Sequence, residues 1–534
     1  MPVSMNNLLP TLDYEAIFTL LSQRFDDTFL SLRDLPHPST FKDMDRAVER
    51  IVQAIKHGEK IMLIGDYDVD GVISTSVMRL FFQAIDMPLS WIIPNRFTDG
   101  YGLSTTLIPR IEGHDLVITV DNGISAVEAA EECQKLGIDL IITDHHIVPE
   151  VIPEAYAIID QKQTACNFPH AEICGAQIAW YLCTALNRAL GTKIDMKAYL
   201  ELVCMAIIAD IMPLKHINRA MVQAGIKLLN QSQRPCIRAY REQSNREQLV
   251  AEDIAFGLAP ILNSAGRLED ASLAVAFICS TNIYDARTHL DSLTMLNDSR
   301  KALEQQITDE ATHEVDRAQK VIVVASETWH EGVVGIVAAR LARKFERPAI
   351  VLTKNGSLFK GSGRSFNGCD LFGLVDTQRH LLSKFGGHRA AIGLAINEEN
   401  LNTFREALDR QAASLCSQEP FVDPDILGEL PFDQIGFPLI EMIAQFEPFG
   451  EANPKPKFLT RSAEILAVQT MGKEGNHLRF TFRHNGTIHN GVQFKTYAQY
   501  EIGQRVDIVY TVNINHFRGE STVQLMVENI LMSI

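Results

Sequence analysis

Three aspartates at alternate positions, Asp66, Asp68 and Asp70, stand directly after the short apolar run Ile61–Ile64. Carboxylates this close repel one another, and gathering them in a folded protein is costly unless a cation neutralises their charge. Hard divalent ions such as Mg²⁺ and Mn²⁺ favour such oxygen-rich surroundings. The spacing therefore indicates a metal-ion site. A solvated acidic turn is the alternative that this stretch alone leaves open.

Two later apolar runs end in the same kinds of residue. LVITVD ends in Asp121, and LIITDHH ends in Asp144, His145 and His146. A further acid, Asp210, interrupts the apolar segment VCMAIIADIMPL. A single aspartate at a strand end is often only a turn former or a helix cap, and a lone histidine is often an ordinary hydrogen-bonded side chain. Several strand ends that carry metal-ligand residue types indicate one shared site instead.

The elements that must position these residues alternate between strand-like and helical stretches from Glu59 to about Pro213. The strand candidates are IMLIGD, LSWIIP, DLVITVD and DLIITD, and helical stretches such as SAVEAAEECQKLG lie between them. This alternation predicts a mostly parallel sheet covered by helices. The carboxyl ends of parallel strands meet at one edge of the sheet, where open α/β folds place their ligands. The aspartates and histidines are therefore predicted to converge at that edge.

The remaining sequence is divided by composition and periodicity. Residues 285–319 contain neither glycine nor proline and space their apolar residues as one long helix does; a coiled-coil dimer is the alternative. Alternating, strand-like segments after residue 451 predict a small β-barrel. The predicted segments are a helical cap (1–45), the sheet domain (46–215), a helical connector (216–319), a second α/β domain (320–415), a linker (416–450) and the barrel (451–534).

Composition and charge limit the classes of function. The 534 residues are 46% hydrophobic and 22% charged, with a formal net charge of −17 at pH 7. This acidity argues against a basic coat for duplex binding, yet the interval 336–395 holds ten Lys or Arg against three Asp or Glu. Such a local reversal is what a phosphate-binding groove needs. With no apolar run near the ~20 residues that span a bilayer and no signal-like start, a cytoplasmic location away from membranes is expected.

Taken together, the motifs resemble a known family. DYDVDG, VDNGIS, TDHH and the isolated Asp210 resemble the four motifs of the DHH phosphoesterase superfamily. NRFTDGYGLS, FGLAPILNSAGRLEDAS, KGSGRSFNG, KFGGHRAAIG and HFRGESTVQLMVENI resemble, within it, the RecJ family of bacterial single-strand-specific DNA exonucleases. The resemblance runs from about residue 40 to the C-terminus. It implies an α/β fold in which a parallel-sheet DHH domain is joined by a long helix to a DHHA1-type domain, followed by an OB-fold β-barrel.

The resemblance also implies a cofactor, namely two ions of Mn²⁺ or Mg²⁺. One ion is expected to bind Asp66, Asp68 and Asp121, and the other Asp70, Asp121, His145 and Asp210. Asp144 is expected to orient His145 or its loop, and His146 to face the scissile phosphate. The implied reaction hydrolyses phosphodiester bonds of single-stranded DNA from the 5′ end and releases 5′-mononucleotides, in DNA repair and recombination.

Six residues outside the sheet domain are expected to bind the substrate. They are Arg267, Arg364, Gly387, His388, Arg479 and Arg518. A surface ion pair is the alternative for any one arginine, and a turn-forming role for the glycines. Phe480 and Phe482 in the barrel are either base-stacking or core residues. The resemblance further implies a single-strand-binding protein and a helicase as partners, and a monomer is expected.

Two other functions remain open at this stage. One is a DHH-family phosphodiesterase acting on short oligoribonucleotides or cyclic dinucleotides, and the other is a catalytically inactive replication scaffold, which would lack metal ligands. Several positions also depart from the family pattern. Ala176–Gln177 stands where the family usually has Val–Gly, and Arg389 and Ile392 stand where it usually has small residues. These departures bear on groove shape and length preference more than on the type of reaction.

Overall fold

A computed structural model describes residues 9–25, 31–415, 423–472, 475–494, 496, 498–517 and 520–532. Within these residues, no helix combines the length and the hydropathy needed to cross a bilayer. The first two helices are α1 (Tyr14–Ser22) and α2 (Met44–His57). As predicted, α2 stops at Gly58, whose φ of 67° is the left-handed conformation that commonly ends a helix.

The first domain is a parallel sheet with helices on both faces. Its elements are β1 (Ile61–Ile64), α3 (Val69–Ala84), β2 (Ser90–Ile92), α4 (Ile108–Ile111), β3 (Leu116–Val120), α5 (Val127–Lys135), β4 (Asp139–Thr143), β5 (Ala157–Ile159), α6 (Gly175–Ala189) and α7 (Leu200–Ala209). The strands lie in the order β2-β1-β3-β4-β5, and every pairing is parallel. The edge strand β5 was not predicted, because its run of three residues is too short to register as a pattern.

The apolar strands are explained by two hydrophobic cores, one on each face of this sheet. Ile61 and Leu63 enter the core that contains α2, α3 and α6, whereas Met62 and Ile64 enter the core beneath α5. Successive strand residues point to opposite faces, so a strand covered on both sides must be apolar at every position.

A helical connector follows, and it ends in one long helix. Its elements are α8 (His216–Gln231), α9 (Pro235–Ser244), α10 (Ala251–Asp253), a π-helical turn (Ile254–Leu258), α11 (Ala259–Leu268), α12 (Ser272–Ile278) and α13 (Ile283–Glu314). Leu290 and Leu293 of α13 pack in the first domain's core, and Ile307 and Ala311 pack against the second domain. The apolar stripe of α13 is therefore covered within the chain, as the long-helix prediction required.

The second domain has a mixed sheet. Its elements are β6 (Ile322–Ser326), α14 (Val334–Phe345), β7 (Ala349–Asn355), β8 (Leu358–Arg364), α15 (Leu371–Asp376), β9 (Leu382–His388), β10 (Ala391–Asn397) and α16 (Leu401–Leu415). The strand order is β6-β7-β8-β10-β9, in which β6 and β7 are parallel and the other pairs are antiparallel.

The last domain is a β-barrel. Its elements are β11 (Ile426–Glu429), α17 (Phe437–Ala444), β12 (Lys457–Met471), β13 (His477–His484), β14 (Thr487–Gln493), β15 (Arg505–Phe517) and β16 (Glu520–Met532). The order β12-β13-β14-β16-β15 closes on itself through the pairing of β15 with β12. Phe480 and Phe482 are both fully buried, so they are core residues and not stacking platforms.

The barrel also takes in segments on either side of the two α/β domains. Ile17 and Leu21 of α1 share the barrel's core with Phe432, which the predicted linker contributed. The amide of Leu12 donates to the Glu429 carbonyl oxygen at 2.7 Å. The N-terminal segment and the segment before the barrel were predicted as a separate cap and a linker, but both pack on the barrel. The apolar side of α1 needs a surface to cover it, and the barrel supplies that surface.

Candidate metal centre

The acids singled out in the sequence meet at the carboxyl edge of the parallel sheet. Two groups each offer potential ligand atoms that lie within 4.8 Å of one another. These groups are Asp66, Asp68 and Asp121, and Asp70, His145 and Asp210. His145 connects the two groups, since its Nε2 is 3.1 Å from Asp121 Oδ1 of the first group and 3.6 and 3.7 Å from Asp70 Oδ2 and Asp210 Oδ2 of its own group. A third group joins Asp121 and His145 to His146.

The turn after β3 brings Asp121 into this centre. Asp121 has a φ of 62°, the left-handed conformation. The next residue, Asn122, is fully buried, and its Nδ2 donates to the carbonyl oxygens of Ile64 and Val120 at 3.1 and 2.9 Å. Its Oδ1 accepts from the Leu103 amide at 2.9 Å. Asn122 therefore ties the ends of β1 and β3 together and fixes where Asp121 points.

The first turn of α6 holds Asp70. The backbone amides of Gly175 and Ala176 donate to Asp70 Oδ2 and Oδ1 at 2.6 and 2.8 Å. The same turn comes so close to the neighbouring acid that a Cβ built on Gly175 would lie 2.6 Å from the Asp121 Cβ. Only glycine allows this approach, so Gly175 sets the separation between Asp70 and Asp121.

We expect Gly175→Ala to disturb the centre without unfolding the protein. The added methyl must push α6 and Asp121 apart, and such overpacking typically costs about 1–3 kcal/mol. Mn²⁺ affinity measured by calorimetry should fall at least about 10-fold, since misplaced ligand supports typically cost that much. Gly436→Ala is the matched control, because its Cβ would meet only Pro438 at 3.5 Å. Equal Mn²⁺ affinity in the two variants would contradict the assignment.

The negative charges of the centre are only weakly compensated by the protein. Burial, followed by the charge of Asp68, raises the pKa of Asp66 well above its usual range. Burial and the charge of Asp70 do the same for Asp121, and they raise the pKa of Asp210 to about 8. Burial lowers the pKa of His145, which keeps its imidazole neutral and able to donate a lone pair. Positive charge is what this cluster lacks.

Divalent ions fit this donor set. Among the described residues, three buried carboxylate oxygens here have no hydrogen-bond partner: Asp66 Oδ1, Asp121 Oδ1 and Asp210 Oδ2. The approach of His145 to Asp121 lacks hydrogen-bond geometry. Buried polar atoms are almost always paired, and carboxylate oxygens with one imidazole are ligands that Mn²⁺ and Mg²⁺ accept.

Asp144 and His146 form a separate hydrogen-bonded pair beside the acids. Asp144 Oδ1 lies 2.6 Å from His146 Nδ1 and also accepts from the amides of His145 and His146. Although burial opposes the charged form, the hydrogen bond to Asp144 and its charge raise the pKa of His146 to about 9. Asp144 thus bonds to the backbone of the loop, and its side-chain partner is His146; that Asp144 orients His145 stays a prediction.

Four arginines gather on the side of the second domain, and we call them the arginine cluster. They are Arg96, Arg267, Arg300 and Arg364. Burial, then the charges of Arg96 and Arg300, lower the pKa of Arg267, with a further contribution from Arg364. Among the described residues Arg267 forms no ion pair; its Nη1 donates to the Gly332 carbonyl oxygen at 3.4 Å. An anion is the missing counterpart.

Other predicted substrate residues are distributed more widely. Arg364 and His388 both pair in register with Ala391, and Gly387 has a φ of 137°, so these three share one end of the second sheet. Arg479 lies on the barrel's outer face, in register with Val492, which in turn pairs with Met526. Arg518 lies outside the described residues.

A groove of about 1210 Å³ separates the first domain and connector from the barrel. Its lining includes Ile211, which follows Asp210 in the sequence, together with Phe256, Lys455, Phe494 and Met526. Phe256 and Phe494 expose 80% and 53% of their surface. We call this the barrel groove.

Sequence reasoning did not select three residues that contribute here: Arg96, Tyr101 and Gly175. The Tyr101 hydroxyl lies 3.4 Å from both the Asp121 carbonyl oxygen and His146 Nε2. Arg96 and Tyr101 belong to the motif NRFTDGYGLS, which was noted only as a whole. No sequence signal marks Gly175, because its role depends on how closely α6 approaches the sheet.

Known proteins share this arrangement of domains. The models of three domain families match the chain: the N-terminal domain of the DHH family over residues 60–207, the DHHA1 domain over 318–414 and the RecJ OB domain over 426–529. The single-stranded-DNA-specific exonuclease RecJ of Bacillus subtilis is 35% identical over 540 residues, which cover 97% of this chain and 68% of that protein. RecJ of Escherichia coli is 32% identical over 91% of this chain and 90% of that protein.

A solved structure adds the fold of the whole chain. The crystal structure of Thermus thermophilus RecJ in complex with Mn²⁺ superposes with a TM-score of 0.82 at 25% identity, over 99% of this chain and 79% of that one. The motifs, the domain order and these identities agree. This chain belongs to the RecJ family of single-stranded-DNA-specific exonucleases.

Proposed function

We propose that the protein is a metal-dependent exonuclease that hydrolyses single-stranded DNA from its 5′ end and releases 5′-mononucleotides, in DNA repair and recombination. The observation that carries this proposal is the metal centre itself. Asp66, Asp68, Asp70, Asp121, His145 and Asp210 converge on one edge of the sheet, directly beside the arginine cluster. An inactive scaffold would not need this donor set.

The residues divide the chemistry between them. Asp66, Asp68 and Asp121 would hold one ion of Mn²⁺ or Mg²⁺, and Asp70, Asp121, His145 and Asp210 the other. Bound there, the two ions supply an activated water and stabilise the attacking and leaving oxygens of the phosphodiester.

The neighbouring side chains position the phosphodiester. His146, whose Nδ1 is hydrogen-bonded to Asp144, presents its other ring nitrogen to a phosphate oxygen from the exposed side of the centre. Arg267 and Arg364 orient the phosphate from the opposite side, as guanidinium groups do.

Cleavage at a strand end is consistent with the contact that closes the space between the two α/β domains. On the side of the arginine cluster the two α/β domains touch, through the Phe97 and His330 rings at 5.4 Å and the Arg267–Gly332 hydrogen bond. A strand that enters along the barrel groove therefore stops at the arginines, which would receive its terminal phosphate. The choice of the 5′ end rests on the family alone.

We expect Arg267→Met to weaken substrate binding without affecting the ions. A charge-assisted hydrogen bond contributes about 1.5–3 kcal/mol, so KM for a single-stranded oligonucleotide should rise by about 10- to 150-fold. Mn²⁺ affinity by calorimetry should stay at the wild-type value. Arg287→Met removes an exposed arginine that pairs with Glu242 at 2.7 Å, and it should change neither quantity. A wild-type KM in Arg267→Met would exclude a phosphate contact.

The barrel groove is suited to bases more than to phosphates. Its lining has three cations, Arg343, Lys455 and Lys457, against the five acids Glu252, Asp425, Glu447, Glu451 and Glu528. Lys457 is already paired with Asp423 and Glu528 at 2.8 and 2.7 Å. Exposed aromatic rings stack bases without regard to sequence, so Phe256 and Phe494 are the contacts we assign to the strand.

We expect Phe256→Ala to affect long substrates only. Loss of one stacking platform costs about 1–3 kcal/mol, so affinity for a long oligothymidylate should fall by about 5- to 150-fold while hydrolysis of a dinucleotide is unchanged. Fluorescence anisotropy measures the first and product analysis the second. Tyr284→Ala, at an exposed ring outside the groove, is the control. Equal losses with the long strand and with the dinucleotide would contradict a stacking role for Phe256 in the barrel groove.

The proposed activity itself is tested with oligonucleotides labelled at either end and supplied with Mn²⁺. Release of a labelled mononucleotide from the 5′ end first is the expected result. Faster hydrolysis of a dinucleotide than of a long strand would favour a short-oligonucleotide phosphodiesterase instead. We further expect a cytoplasmic monomer that works with a single-strand-binding protein and a helicase, which are partners inferred from the family.

A further inference from the structure

A buried amide side chain joins the metal centre to the part of the chain that carries the barrel. Gln177 lies in the first turn of α6 and is fully buried. Its Oε1 accepts from the Cys174 amide at 3.0 Å, and its Nε2 donates to Asn218 Oδ1 at 3.0 Å. One side chain thus links the start of α6 to α8, 41 residues further along the chain.

The α6 end of this link is the turn that holds Asp70. The amides of Gly175 and Ala176 bind both Asp70 oxygens, and Gln177 fixes that turn by bonding to Cys174, the residue before it. Any rotation of this turn would move the Asp70 carboxylate relative to Asp121. Gln177 therefore acts on the centre through the backbone and touches no ion or substrate itself.

The α8 end controls the segment that follows Asp210. Asn218 Nδ2 donates to the carbonyl oxygens of Pro213 and Glu172 at 3.0 and 2.8 Å. The next residue, Arg219, donates to the barrel-domain carbonyl oxygens of Phe446 and Glu447 at 2.9 and 2.8 Å. Hydrogen bonds and the backbone between them therefore connect Asp70, through the first turn of α6, Gln177 and Asn218, to the loop beside Asp210 and, through Arg219, to the barrel.

We propose that Gln177 is a positioning residue that fixes Asp70 and Asp210 relative to each other and so sets the affinity for the ion between them. The inference rests on the proposed ion site. If Gln177 only capped α6, the hydrogen bond to Cys174 would be sufficient. The second hydrogen bond, to Asn218, connects the turn that holds Asp70 to the segment that follows Asp210.

Gln177→Met tests the link, since it keeps the volume and removes both hydrogen bonds. Supports of metal ligands typically contribute about 10- to 100-fold in affinity, so we expect Mn²⁺ affinity by calorimetry to fall by that factor. Asn218→Leu should have a similar effect. The double variant should be no weaker than the weaker single variant, because residues in one network are not additive. Additive losses would overturn the proposal.

Asn187→Leu serves as the control at the other end of α6. Asn187 also uses its amide to bind backbone, with Nδ2 donating to the Ile194 carbonyl oxygen at 2.9 Å, yet it is not linked to Asp70. The Mn²⁺ affinity of the Asn187→Leu protein should equal that of the wild type even if the variant is less stable to heat. If Gln177→Met does not fold, Gln177→Asn, which keeps the amide but is too short for the link, replaces it with the same expected loss.

Failure of the inference differs from failure of the proposed function. Wild-type protein that binds Mn²⁺ and digests single-stranded DNA, together with an unchanged Mn²⁺ affinity in Gln177→Met, would overturn the inference alone. Wild-type protein that binds no Mn²⁺ would overturn the proposed function and the inference with it.

Discussion

Asp121→Asn is expected to lower the rate of single-stranded DNA hydrolysis by more than about 100-fold, the upper range for residues that merely support a metal ligand. Asp121 belongs to one ligand group and lies 3.1 Å from the histidine of the other, so its charge serves both ions. Asparagine suits the test because it tolerates the left-handed conformation that Asp121 adopts, at a φ of 62°. The measurement is product release from an end-labelled oligonucleotide in Mn²⁺.

The control for this variant is Asp139→Asn. Asp139 begins β4 at the opposite edge of the same sheet and pairs with Arg50 at 2.6 Å. The Asp139→Asn protein should be less stable than the wild type but should keep its activity when assayed well below its melting temperature. Affinity for single-stranded DNA should persist in Asp121→Asn, since the arginine cluster and the barrel groove are unchanged. An Asp121→Asn protein that degrades DNA at the wild-type rate would remove the metal centre from the mechanism.

Removal of divalent ions is expected to abolish hydrolysis and to destabilise the wild-type protein. Ions present at about 100 times their Kd stabilise a folded protein by about 2.7 kcal/mol, or roughly 5–10 °C in Tm for a domain of this size. Without ions these carboxylates are unfavourable, because burial first and then the charges of neighbouring aspartates raise the pKa values of Asp66, Asp121 and Asp210. Thermal unfolding with and without chelator measures the difference.

The same repulsion predicts a reversal of stability in the ion-free protein. Asp121→Asn removes one of the crowded charges, so the ion-free variant should be more stable than the ion-free wild type, by about 0.5–2 kcal/mol. With Mn²⁺ the order should invert, because the variant binds the ions poorly. An ion-free variant that is less stable than the ion-free wild type would mean that Asp121 supports the fold and does not carry the strain of a metal site.

The sheet and the convergence of its acids were predictable because they depend on local patterns. Each of β1, β3 and β4 is an apolar run that ends in a metal-ligand residue type, and parallel strands bring such ends together without further information. The long helix followed in the same way from the apolar spacing along α13. Asp210 was recognisable because an isolated acid in an apolar segment requires a partner.

Features that depend on how distant segments pack were not predictable. The approach of Gly175 to Asp121 requires α6 to cross the sheet edge at one distance. The packing of α1 against the barrel requires the two ends of the chain to meet. Phe480 and Phe482 are buried because their face of β13 points into the barrel. Strand periodicity shows that the two residues share a face, but not whether that face points inward or outward. The register of Arg479, whose cross-strand partner Val492 pairs with the groove residue Met526, likewise depends on strand pairing across the barrel.

The pairing of Asp144 with His146 shows the same limit at the scale of one loop. The sequence placed Asp144, His145 and His146 together at the end of β4, but backbone geometry decides which ring faces which acid. His145 turns towards Asp121, and His146 turns back to Asp144. Adjacent residues therefore face different partners: His145 faces the acids of both ligand groups, and His146 is held by Asp144.

Anomalous diffraction from crystals soaked in Mn²⁺ tests the central claim most directly. Two peaks are predicted at the carboxyl edge of the parallel sheet, one beside Asp66, Asp68 and Asp121 and the other beside Asp70, His145 and Asp210. Manganese that binds elsewhere, or no peak at this edge at a saturating concentration, would contradict the account.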